Sequence, residues 1–185
     1  MRTMVALVVV FAAAAATTSD YNSVKTKFSQ IEKAKLRPGT RIPLSQAELN
    51  AYVQKELPVV APAGIRNPQV TLEGNNTATG RARIDFLKLR SASGRPPGLI
   101  LRTLLQGEHD LAVTATVRSG AGKATIDIKS VELEGIPISG SALDFLIENY
   151  LIPNYPEARV GRPFELKYKI DRIEVIKNSA YVVTR

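Results

Sequence analysis

Apolar residues recur with a helical period over the first third of the mature-like sequence. Tyr21, Val24, Phe28 and Ile31 are spaced by three, four and three residues and share one helix face. Arg37-Pro38-Gly39 ends that segment. A second stripe, Leu49, Tyr52, Val53 and Leu57, is opposed by Asn50, Gln54 and Lys55. Its start is well marked. Ser45 and Glu48 have the S-x-x-E spacing of a capping box, and Leu44 and Leu49 occupy the two positions of a hydrophobic staple. The helix is predicted to stop at Pro58, and the proline-rich stretch to Pro68 reads as an irregular crossing.

From Val70 the period falls to two. Val70 and Leu72 precede the turn residues Gly74-Asn75-Asn76, after which Ala78, Gly80, Ala82, Ile84 and Phe86 alternate with Thr77, Thr79, Arg81, Arg83 and Asp85. The small residues Ala78 to Ala82 imply that another group approaches this strand closely. Ser91 to Pro97 reads as a loop leading into the apolar heptad Leu99 to Leu105. A second hairpin joins Leu111, Val113, Ala115 and Val117 to Ala124, Ile126 and Ile128 through Ser119 to Gly122. At Ser130 the phase slips by one before Val131 and Leu133, as a β-bulge produces. Another helix carries Leu143, Leu146, Ile147, Tyr150 and Leu151, and Phe164 to Ile170 and Tyr181 to Val183 alternate as strands, with a turn at Asn178-Ser179. Recurring hairpin turns favour antiparallel pairing. The expected fold is α+β: a curved antiparallel sheet of about six strands packed around two or three helices.

One pattern occurs twice. Ile42-Pro43-Leu44-Ser45 and Ile136-Pro137-Ile138-Ser139 each open a capped helix, with Ile138 and Leu143 as the second staple pair. A duplicated helix-then-hairpin unit would bring two apolar helix stripes together and leave space between them. Two ordinary helices with a shared start signal are the alternative.

The N-terminus has its own character. Arg2 precedes an apolar run from Met4 to Ala16, and Ala14-Ala15-Ala16 before Thr17 fits a secretory cleavage site. Residues 1–16 are therefore read as a signal peptide, 17–41 as a helical lead-in, and 42–185 as one α+β domain. The implied location is periplasmic or secreted. No cysteine is present, so disulfides contribute nothing and the core must supply stability. The formal charge of +8 becomes +7 on removal of Arg2, and on an exported protein this points to anionic lipid head groups or acidic polysaccharide rather than nucleic acid.

Candidate chemistry is sparse. His109 is the one histidine and, flanked by Glu108 and Asp110, reads as a solvated residue at a strand end. Zinc sites and Ser-His-Asp or Cys-His centres need residues the chain mostly lacks. It carries no phosphate-binding glycine loop and no dinucleotide fingerprint. A non-enzyme without metal or cofactor is expected. Two features suit binding. The apolar set Leu49, Tyr52, Val53, Leu99, Ile100, Leu104, Leu143, Leu146, Ile147 and Tyr150 lines either a lipid-sized groove or a filled core. The basic set Arg81, Arg83, Lys88, Arg90, Arg95 and Arg102 is placed to meet anionic head groups or a membrane surface.

The order of the Ile-Pro-Leu-Ser-Gln-Ala-Glu-Leu-Asn helix, the hairpins, Val131-Glu132-Leu133-Glu134-Gly135-Ile136-Pro137 before a second apolar helix, and the hairpin around Ile173 to Asn178 resembles small bacterial periplasmic proteins of the tubular lipid-binding (TULIP-like) superfamily. The resemblance covers nearly all of the chain from Pro43. It implies an apolar groove between a long curved sheet and helices, a lipid or other long apolar ligand, and a role in envelope lipid transport or presentation. It carries over no catalytic residue. Lipoprotein members have an anchoring cysteine that this chain lacks. A non-enzymatic protein- or glycan-binding module with a packed core is the other class left open.

Overall fold

The computed structural model describes residues 18–60, 64–92, 106–151 and 161–185. Helix α1 (residues 18–32) is followed by β1 (Arg41–Ser45), α2 (Gln46–Val60), β2 (Ile65–Gly74), β3 (Thr77–Ile84) and α3 (Phe86–Ala92). Then come β4 (His109–Gly120), β5 (Lys123–Leu133), β6 (Ile136–Ile138) and α4 (Gly140–Leu146), which runs on as a π-helical turn, Ile147–Leu151. The chain ends with β7 (Phe164–Glu165), β8 (Ile170–Ile176) and β9 (Ser179–Thr184). The α+β class and the antiparallel sheet of about six strands are those expected. That sheet has the order β2-β3-β4-β5-β6, with β7 also on β5, and is open; β1-β9-β8 form a second, smaller antiparallel sheet.

Turn chemistry sets the registers. Asn75 and Asn76 between β2 and β3, Ala121 and Gly122 between β4 and β5, and Glu134 and Gly135 between β5 and β6 all have positive φ at both central positions. Such turns twist in the sense that flanking strands require. The first turn also joins the two sheets. Asn76 N–H donates to the Val175 carbonyl at 2.9 Å, its side-chain oxygen accepts from Val175 N–H at 2.9 Å, and its own carbonyl accepts from Val117 N–H at 2.8 Å.

The free edge of β2 is covered by side-chain amides of α2. Asn50 accepts from Val70 N–H and donates to the Val70 carbonyl, each at 2.8 Å, and Gln46 accepts from Leu72 N–H at 2.8 Å. These bonds replace a neighbouring strand and close an edge that would otherwise be open to pairing.

Two apolar cores lie at opposite ends of the β2–β3 hairpin. At the turn end, Leu72 and Val175 pack with Ile42, Leu44 and Val182 of the small sheet and with Val24 and Ile31 of α1. Helix α1 thus contributes Val24 and Ile31 to this core. At the far end, Ile84, Phe86 and Leu89 form a second cluster with Ile65, Leu111, Phe145 and Leu146. Between the two stands Gly80, where an added Cβ would meet nothing within 4 Å. The close approach expected over Ala78 to Ala82 is replaced at Gly80 by open space.

Several boundaries depart from the sequence reading. Helix α2 passes Pro58 to end at Val60, because a proline near the C-terminal end disrupts only the last turns. Strand β2 then absorbs Pro68, which lacks an N–H, through a register shift between Arg66 and Gln69 with Asn67 at φ 48°. Strand β3 ends at Ile84, and Phe86 opens α3 instead of continuing the alternation. The Phe164 to Ile170 stretch is broken where Tyr168 and Lys169 both take φ 56°. The expected bulge is present: Thr114 pairs Ser130 and Ala115 pairs Ile128, leaving Lys129 as the extra residue.

Both Ile-Pro-x-Ser segments form a short edge strand, β1 or β6, running directly into a helix, but only the first is capped. Glu48 N–H donates to Ser45 Oγ at 3.1 Å, and Ser45 N–H donates to the Glu48 carboxylate at 2.8 Å. Ser139 makes no side-chain cap bond, and Ala142 stands where the first copy has Glu48. Ser45→Ala should therefore destabilise by about 1 kcal/mol, and Ser139→Ala should stay within about 0.5 kcal/mol of the parent. Urea unfolding of the two variants checks this; equal losses would show that the second cap does form.

Candidate functional site

The strand face that carries the second core also bounds a cavity of about 210 Å³. Its floor is Ile65 from β2, Ile84 from β3, Leu111 and Val113 from β4, and Ile128 and Val131 from β5. Over it lie Phe86 and Leu89 of α3 and Leu143, Leu146 and Ile147 at the end of α4. Each of these side chains is apolar. The pleat turns Leu111 and Val113 to one side. Ile128 and Val131 are three apart and would face opposite sides of a regular strand; the bulge at Lys129 turns both inward. The helix contributes by its i, i+3, i+4 spacing.

Not all the apolar candidates converge here. Leu143, Leu146 and Ile147 do. Leu49 and Tyr52 belong instead to the first core, where the Tyr52 ring meets Phe28 edge-on with centroids 4.8 Å apart. Val53 is half-buried on the same helix. The two helix stripes thus face different cores rather than one shared space. Tyr150 lies in the π-helical turn, with its side chain outside the described residues, as are Leu99, Ile100 and Leu104.

The three basic candidates with described side chains, Arg81, Arg83 and Lys88, do not converge on the cavity. Arg81 and Arg83 alternate with Ala82 and Ile84, so they stand on the opposite face of the sheet, where they line a polar groove of about 390 Å³ with Gln69, Asp110 and Glu132. There Arg83 Nε is 3.7 Å from both Glu108 and Asp110, and Arg66 reaches Glu108 at 2.9 Å. Lys88 on α3 is held by Asp85 at 2.9 Å. Burial pushes the Asp85 carboxyl up, but hydrogen bonds from the Lys88 side chain and backbone outweigh it and hold the group below the usual carboxylate range. Arg90 is on α3, and Arg95 and Arg102 lie outside the described residues. A ligand in the cavity is separated from Arg81 and Arg83 by the sheet.

The sequence predicts a solvated histidine at a strand end, and the structure turns His109 inward. It opens β4 on the face of Leu111 and Val113, pairs Ile84 in register, and its ring centroid is 6.0 Å from that of Phe86. Nδ1 is 3.4 Å from a Glu134 carboxylate oxygen that also accepts Asp110 N–H at 3.0 Å. Nε2 is buried and has no hydrogen-bond partner among the described residues. The signal was present in the sequence: His109 has the same parity as Leu111 and Val113. Among the described residues no group of three or more histidine or acidic side chains could hold a metal ion.

No protein-family model matches the chain, and no curated protein is significantly similar to it in sequence.

Proposed function

We propose that this protein is an exported, non-enzymatic lipid carrier that takes an apolar chain between its larger sheet and helices α3 and α4. The observation that carries this reading is the cavity itself, whose described lining comes from four strands and two helices and is apolar throughout. Such a space gains nothing from water, since a buried water needs two to four polar partners. It gains dispersion contacts and dehydration from hydrocarbon. Its volume points to a single chain. An engineered apolar cavity of about 150 Å³ admits benzene, whereas sites for drug-sized ligands run from about 300 Å³ upward.

Three features of the chain support the rest. The run from Met4 to Ala16 suits export, the net charge of +8 suits work near anionic envelope surfaces, and the order of elements resembles tubular lipid-binding proteins. No helix among the described residues is long and apolar enough to cross a membrane. A second reading, a protein- or glycan-binding module, draws on the polar groove over Arg81, Asp110 and Glu132.

Native mass spectrometry of the protein purified from its own host tests the choice. The carrier should leave with a bound amphiphile, and the lipid-free form should take up a fluorescent fatty acid. A clean apo mass together with no uptake would overturn the carrier reading in favour of the module.

A further inference from the structure

Among the described residues one buried polar atom, His109 Nε2, is without a hydrogen-bond partner, and the residues around its ring line the apolar cavity. Ile84 opposite His109 in register, Leu111 two residues on, and Phe86 against its ring are all cavity-lining residues. Glu134 distinguishes the two ring nitrogens. Its carboxylate oxygen accepts Asp110 N–H at 3.0 Å and lies 3.4 Å from Nδ1, so Nδ1 has a polar neighbour. Nε2, on the other side of the ring, is the atom left unanswered. Buried polar atoms are nearly always paired, and an unpaired one costs free energy until a partner arrives.

We propose that His109 anchors the polar end of the cavity's ligand, and that this ligand is a fatty acid whose carboxyl group makes the hydrogen bond Nε2 lacks. The inference rests on the lipid-carrier reading and names its ligand class. A carboxyl group and an imidazole share one proton between two atoms: O–H donates to Nε2, or Nε2–H donates to the carboxylate oxygen. A single nitrogen therefore satisfies this head group. A phosphodiester carries a fixed charge and calls for several donors, yet of the basic candidates with described side chains Arg81 and Arg83 stand across the sheet and Lys88 is held by Asp85. The volume again favours one chain over two.

Because His109 is the chain's one histidine, protein labelled with ¹⁵N-histidine gives one pair of ring-nitrogen signals. The lipid-free protein is titrated with dodecanoic acid, its methyl ester and dodecylphosphocholine. Dodecanoic acid should bind most tightly and move the Nε2 signal more than Nδ1. His109→Leu should weaken the acid by about 10- to 100-fold, the loss of one hydrogen bond to a charged group, and change ester binding little. Equal binding of acid and ester, acid binding that leaves Nε2 unmoved, or tighter binding of the phosphocholine would each overturn the anchor while the carrier reading stands. Binding of none of the three would remove the carrier reading and the anchor with it. The ligand comparison on the parent protein stands even if His109→Leu does not fold.

Discussion

Glu48→Ala should destabilise the protein by about 3 kcal/mol, the range for removing one member of a buried ion pair. Glu48 is only 5% exposed. Its carboxylate accepts Ser45 N–H at 2.8 Å to complete the α2 cap, accepts Lys27 Nζ at 2.6 Å, and accepts the Ser23 hydroxyl. One side chain therefore starts α2 and ties α1 to it. Alanine would leave an ammonium, a hydroxyl and an N–H short of a partner; Lys27 is partly exposed, which keeps the loss at the lower end. The same contacts fix a pH dependence. Burial pushes the Glu48 carboxyl up, but hydrogen bonds from Lys27, Ser23 and Ser45 outweigh it and hold the group below its ordinary value. The folded-state value thus lies below the unfolded one, so this stability is complete above the ordinary glutamate range of ~4.3 and is lost as pH falls through the folded-state value. Glu56, lowered by its bonds to Tyr21 and Lys25, acts in the same direction. Urea unfolding from neutral pH downward should show a steep acid decline in the parent and a shallower one in Glu48→Gln. A Glu48→Ala protein within 0.5 kcal/mol of the parent, a margin ordinary for surface changes, would mean that α1 is not fastened through this carboxylate.

Local features were legible because they depend on near neighbours. The α1 stripe delivered Val24 and Ile31 to the core, Ser45 and Glu48 formed their reciprocal cap, and the phase slip at Ser130 marked the bulge that brings Ile128 and Val131 to one cavity wall. The partner of a stripe was not legible. A helix face of Leu49 and Tyr52 says that something apolar covers it, and nothing in the pattern says whether that is the cavity or α1 and the small sheet. The side of the sheet on which Arg81 and Arg83 stand is a different matter. Arg81 and Arg83 are close in sequence to the cavity residue Ile84, but in a period-two strand adjacent residues face opposite sides. Read strictly, the alternation already assigned those arginines to the outer face. His109 was hidden in the same way: its acidic neighbours Glu108 and Asp110 describe the outward positions, while its own parity belongs to Leu111.

Leu146→Trp should leave stability within about 1 kcal/mol of the parent, the cost of a tolerated hydrophobic change, and lower fatty-acid uptake by tenfold or more. Val24→Trp should do the reverse. Val24 is fully buried in the core between α1 and the small sheet, so an indole there has no room and overpacks it, at about 3 kcal/mol. Leu146 touches the Ile84, Phe86 and Leu89 cluster but faces the cavity, where the indole can occupy ligand space and bury its apolar surface against Leu111 and Val113. Both substitutions introduce the same indole, and Val24→Trp adds only one methylene more than Leu146→Trp, so their contrast reports mainly the space available rather than the chemistry of tryptophan. Thermal unfolding and fluorescent fatty-acid titration of both variants give the comparison. If Leu146→Trp loses as much stability as Val24→Trp and the parent takes up no lipid, the α4 end of the sheet is filled core and the carrier reading falls. If Leu146→Trp stays folded and uptake is lost while Val24→Trp retains uptake wherever it folds, the ligand sits between β2–β5 and the two short helices.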